Sequence, residues 1–121
     1  SIQDSKKKEF ENLFFYPPVK GLITETFSPS DSHFGIHIAT ASGSAVASTL
    51  DGTVLAVYWT LDDGYTIMIQ HSDNLISVYK QVARPLSKAG DRVASGDVIA
   101  FMRTSTDVNE EVELHFELWH N

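Results

Sequence analysis

No cysteine occurs among the 121 residues. Disulfides and thiolate metal ligands are therefore excluded, and any metal ion must be held by His, Asp or Glu. Basic charge is scarce. Nine Lys and Arg stand against sixteen Asp and Glu, a formal net charge of −7. A nucleic-acid interface needs a basic patch, so no nucleic-acid partner is expected. The only basic run, Lys6-Lys7-Lys8, is short and lies beside the N-terminus, where it reads as a solvated end. No apolar run approaches the roughly 20 residues of a membrane span, and the segment carries no signal-peptide pattern. Helix signals are missing beyond Pro17-Pro18, which imposes an extended path.

Beyond Pro18 the chain is a series of short strand patterns between turn residues. "GLITETF" alternates apolar and polar positions. "DGTVLAVYW" leaves an Asp-Gly turn and is rich in Val, Tyr and Trp. Asp63-Gly64 makes a second turn before "YTIMIQH", and "NLISVYKQV" follows Asp73-Asn74. "GDRVASGDVIAFM" carries two Gly-Asp pairs around short strands, and "VELHFELW" closes the series. Thr104 to Glu111 is polar and aperiodic and reads as a loop. The expectation is an all-β sandwich or barrel over residues 15–121. Residues 1–14 form a charged extension in which "KKKEFENLF" can make a short helical turn. With 42% hydrophobic residues, the length suits one domain with a working core.

The histidines are His33, His37, His71, His115 and His120. In the last strand, period-two alternation puts Glu113, His115 and Glu117 on one face and Val112, Leu114, Phe116 and Leu118 on the other, toward a core. Taken alone, the polar row reads as a solvent-facing side. His33 and His37 are four residues apart, a spacing that suits metal binding on a helix. Gly35 between them argues against a helix. On the residues alone they read as a pair in a surface loop.

The ordered series of segments resembles the LytM/lysostaphin-type zinc metallopeptidases, which cut the peptide cross-links of bacterial cell walls. "HFGIHIAT" is similar to the His-x-Gly-x-Asp ligand motif of that family. "GYTIMIQHSDNLISVYKQV" is similar to the segment ending in Tyr-x-His. "GDRVASGDVIA" is similar to its Gly-Asp-x-Val-x-x-Gly-x-x-Ile turn, and "ELHFELW" to its closing His-x-His-Phe-Glu strand. The likeness runs from about Phe15 to Trp119. It implies a small β-barrel or sandwich of the duplicated hybrid-motif type, with a site in a groove on one sheet.

Carried over by position, the resemblance implies zinc ligands at His33, His37 and His115, with His37 standing where the second ligand is normally Asp. Gln81 and Glu113 occupy the positions of the two assisting histidines. The loop Arg103 to Glu113 lacks the glycines and proline usual there. Three imidazoles are an accepted zinc set. A glutamine amide can donate to an oxyanion but cannot shuttle a proton. Glu113 has three open roles: general base, fourth ligand, or partner of His33 or His37 in a site without metal. The expectation is thus a degenerate, non-hydrolytic peptidase-type domain outside the cytoplasm. Its partner would be cell-wall peptide or peptidoglycan, an active homologue, or another protein. The alternative is a zinc endopeptidase acting on peptidoglycan cross-links with Glu113 as general base.

Overall fold

The computed structural model describes residues 15–30, 33–107 and 109–120. The helical turn expected within residues 1–14 lies outside the described residues.

Ten strands form two antiparallel sheets, and no helix is present among the described residues. In chain order they are β1 (Gly21–Ser30), β2 (His33–Ala41), β3 (Ala45–Ala47), β4 (Gly52–Thr60), β5 (Gly64–Gln70), β6 (Leu75–Val82), β7 (Arg84–Pro85), β8 (Arg92–Val93), β9 (Val98–Phe101) and β10 (Glu111–His120). The larger sheet runs β1-β2-β10-β6-β5-β4-β8, and the smaller runs β3-β9-β7. The larger sheet does not close on itself, since β1 and β8 are its two edges. The architecture is therefore an open sandwich rather than a closed barrel.

The core lies between the sheets. The inward row of β10, Val112, Leu114, Phe116 and Leu118, is buried as alternation predicts. Ile36 and Ile38 of β2, Ile67 and Ile69 of β5, and Tyr79 and Val82 of β6 extend the same apolar layer. Val46 of β3 and Ile99 of β9 meet it from the small sheet. Each fully buried side chain of this size contributes roughly 1.5–3 kcal/mol, and this layer is what fixes the register of the central strands.

The longest element that the sequence patterns do not give as a strand is β2. Its nine residues are a regular strand inside the larger sheet, hydrogen-bonded to β1 on one side and β10 on the other. The expected loop pair, His33 and His37, thus lies on a strand face. A Cβ at Gly35 would meet the Phe27 and Glu117 side chains at 3.5 and 3.6 Å, ordinary contact distances, so the packing there does not require glycine.

A buried polar chain links the connection between β3 and β4 to the end of β5 and to β6. His71 Nδ1 lies 2.7 Å from the Asp51 carbonyl and Nε2 lies 2.6 Å from Ser77 Oγ. Ser77 Oγ meets the Tyr79 hydroxyl at 2.8 Å, which accepts from the Thr49 amide at 3.1 Å. A neutral ring with the proton on Nδ1 satisfies every member: it donates to Asp51 and accepts from Ser77. Gly52 makes this approach possible, because a Cβ there would stand 2.3 Å from the Gln70 carbonyl oxygen and 2.8 Å from His71 Nδ1. Gly52→Ala is expected to cost about 2 kcal/mol through forced backbone movement, read from the urea midpoint; an unchanged midpoint would show that the strand yields freely.

Candidate functional site

The register of the larger sheet builds a row across its outer face. Glu25 of β1 pairs with His37 of β2, His37 with His115 of β10, His115 with Lys80 of β6, and Lys80 with Thr66 of β5. Directly paired residues have their side chains on the same side of the sheet. The row therefore sets His37 and His115 against each other with a carboxylate on one flank and an ammonium on the other.

The contacts are specific. His37 Nε2 and His115 Nδ1 are 2.9 Å apart. His37 Nδ1 faces Glu113 Oε1 at 3.2 Å and Glu25 Oε2 at 3.4 Å. His115 Nε2 faces Glu117 Oε2 at 2.8 Å. The same carboxylate receives Lys80 Nζ at 3.1 Å, His33 Nε2 at 3.0 Å and the Trp119 indole N–H at 2.9 Å. The His33 ring stacks on Trp119 with centroids 3.8 Å apart, and Phe27 packs against His37 and His115. Carboxylates accept only, so His115 Nε2 and His37 Nδ1 both donate. Satisfying the 2.9 Å contact as well takes one proton more than two neutral rings carry.

Glu117 is the hub, and it is buried. The polar row of β10 is therefore not a solvent-facing side at this position. Burial alone would push the Glu117 carboxyl up, but the bonds from Lys80 and His33 and the Lys80 charge outweigh it and hold it below the usual range. Burial pulls Lys80 down, yet its bond to Glu117 and the charges of Glu117 and Asp63 leave it raised. For His115, burial dominates. Glu117 opposes it while the charges of His37 and Lys80 add to it, and the ring titrates below its usual value.

The structure brings together two of the three expected ligands, His37 and His115. His33 is held aside by Glu117 and Trp119. Two nitrogens on a tetrahedral zinc, at about 2.0–2.1 Å each, stand roughly 3.3 Å apart; 2.9 Å is the spacing of a hydrogen-bonded pair. Among the described residues, no three His, Cys, Asp or Glu side chains are disposed to hold a metal ion. As arranged, the set does not fit zinc. Of the roles open to Glu113, the observed one is partner of His37, with the Thr24 hydroxyl donating to it at 3.2 Å.

Gln81 sits on a bulge of β6, the extra residue where Tyr65 pairs with Val82 and Thr66 with Lys80. Its φ is +70°, and its backbone N–H donates to the Asp63 carbonyl at 2.8 Å. Gln81 and Glu113 line one groove of about 530 Å³, with Asp63, Ala83, Arg103 and Glu111 among its walls. The loop before β10 borders it and is held without glycine or proline by side chains. Arg103 and the Ser105 hydroxyl both donate to Glu110, at 2.9 and 2.5 Å.

Glu117 and Lys80 are the residues that sequence reasoning leaves out of the site. Alternation puts Glu117 on the correct face beside His115. Lys80 carries no signal, because only the β6–β10 register places it opposite His115.

The sequence pattern described as Peptidase family M23 matches residues 31–121. The murein hydrolase activator NlpD of Escherichia coli (strain K12) is 33% identical over 103 residues, 84% of this chain and 27% of that protein. A lipoprotein NlpD/LppB homolog of Pseudomonas aeruginosa is 34% identical over 84% of this chain and 34% of that protein. The crystal structure of a zinc-containing peptidase from Vibrio cholerae superposes with a TM-score of 0.72 at 29% identity, covering 88% of this chain and 37% of that one. The chain thus spans about a quarter to a third of the curated relatives it matches. On the family match and these identities, the chain belongs to peptidase family M23.

Proposed function

We propose that this domain is a degenerate LytM-type module that binds cell-wall peptide or a protein partner in wall remodelling and does not hydrolyse. The observation that carries the reading is the state of the two positions where the family keeps assisting histidines. Gln81 has no titratable group, and Glu113 is engaged on His37 and Thr24. The likeness to murein hydrolase activators supports a partner that is itself a wall hydrolase. Relatives named as lipoproteins support an envelope location. The groove beside Gln81 and Glu113 is the surface this reading assigns to the ligand.

The test is incubation of the purified protein with peptidoglycan sacculi, with and without added zinc, followed by assay of released soluble peptide and of sedimentation with the sacculi. Release is expected to stay at background, with the protein either sedimenting or captured by a wall hydrolase. Zinc-dependent release that Glu113→Gln abolishes would instead establish the endopeptidase with Glu113 as general base.

A further inference from the structure

We propose that the Lys80 ammonium takes the place of a metal ion in this site, serving as a built-in cation that holds the ligand-position side chains together and keeps divalent metals out. Three observations carry this. First, Lys80 is the register neighbour of His115, and its Nζ lies 3.1 Å from Glu117 Oε2 and 3.9 Å from Asp63 Oδ2. Second, Glu117 passes that charge on to two of the three ligand-position histidines, His115 at 2.8 Å and His33 at 3.0 Å. Third, the nitrogens a metal would need are already turned to protein partners: His33 Nε2 to Glu117, and His37 Nε2 and His115 Nδ1 to each other.

The electrostatics are one-sided. A metal-ligand histidine offers a lone pair to the ion and donates its other ring N–H to a carboxylate. Here the carboxylate is buried, and an ammonium already lies against it. A divalent ion entering between His37 and His115 would meet that fixed positive charge across Glu117, and would also have to pull His33 off Trp119. The ammonium and the metal are therefore alternatives. A lysine is a compact point charge on a flexible stem, which suits it to this substitution.

The inference is independent of what the groove binds. A protein that cleaved no peptidoglycan yet bound zinc would overturn it and leave the non-hydrolytic reading standing. The experiment uses the full chain, stripped with a chelator and then titrated with zinc chloride, with thermal unfolding and competition against a chromophoric chelator as readouts. The parent is expected to show no zinc-dependent rise in Tm and no stoichiometric uptake. Lys80→Met is expected to lower Tm without zinc and to regain roughly 5 °C or more when zinc is added. Lys80→Arg keeps the charge and is expected to behave as the parent. Uptake of one zinc per chain by the parent overturns the proposal. So does a Lys80→Met protein that is as stable as the parent and indifferent to zinc. If Lys80→Met does not fold, Lys80→Arg decides: failure of that variant too would assign Lys80 a packing role and overturn the proposal, and parent-like behaviour would uphold it.

Discussion

Glu117→Gln is expected to cost about 3 kcal/mol of stability, a fall of roughly 10 °C in Tm. The replacement keeps size and shape and removes one negative charge. That charge faces Lys80, His33, His115 and the Trp119 indole at 2.8–3.1 Å. Removing one partner of a buried ion pair leaves the other uncompensated, which typically costs 3–5 kcal/mol. The low end applies because the Lys80 side chain is 25% exposed and can turn toward water. An amide also turns its NH₂ toward the two donors on one oxygen, Lys80 and His115 or His33 and Trp119, so those contacts become repulsive. Urea denaturation with matched slopes measures the loss. Glu110→Gln is the control: its pair with Arg103 is exposed and screened, and its removal is expected to leave the midpoint where it was. A Glu117→Gln protein as stable as the parent would show that the hub is ornamental to folding.

Acid is expected to destabilise the protein from well above the carboxylate range. His71 is pushed below its ordinary 6.5 mainly by burial, with the Asp51 carbonyl and charge opposing; His115 is pushed down by burial too. In both cases the folded state binds the proton less readily than the unfolded chain. Their stabilising contribution is full above 6.5 and is lost as pH falls from 6.5 toward the folded values. Within that window each histidine adds a slope approaching about 1.4 kcal/mol per pH unit. Glu117 acts lower. Its folded pKa lies below the ordinary 4.5, so its contribution is present above 4.5 and is lost as pH falls through the folded value. Urea midpoints from pH 8 to pH 4 test this, with His71→Gln expected to flatten the upper limb by about half. Stability that stays level between pH 7.5 and 5.5 would contradict it.

These two expectations lie on different parts of the fold, and they differ in how far the sequence announces them. Glu117 is legible as to its face. Strict alternation in "VELHFELW" places it beside His115 and sends Leu114 and Phe116 inward, and the buried row confirms the period. Its burial is not legible, because alternation reports direction and not depth. What covers Glu117 is supplied by other strands: Lys80 from β6 and His33 from β2. His71 is visible as a histidine near a turn. Its partners, Asp51 and Ser77, lie 20 and 6 residues away in the chain, and their approach depends on Gly52.

The opposite error occurs at β2. "HFGIHIAT" reads from its residues as a loop because Gly35 interrupts the apolar pattern. In the sheet the strand stays regular, since neighbours on both sides satisfy its backbone. Regularity is what turns His33 and His37 to one face, and it is also what holds them apart. His37 meets His115 directly across the ladder, while His33 is opposite Trp119. The resemblance names both as ligand positions; the ladder decides that only one of them reaches His115.

By itself the sequence determined the class of the fold and the two faces of the last strand. Those properties are local: they follow from period-two alternation, turn residues and residue identity. Only the tertiary structure decided which charges meet. The β2–β10 and β6–β10 registers bring Lys80, Glu117 and the two central histidines together from three strands. Register across non-consecutive strands is set by the packed core beneath them, and no local pattern encodes it.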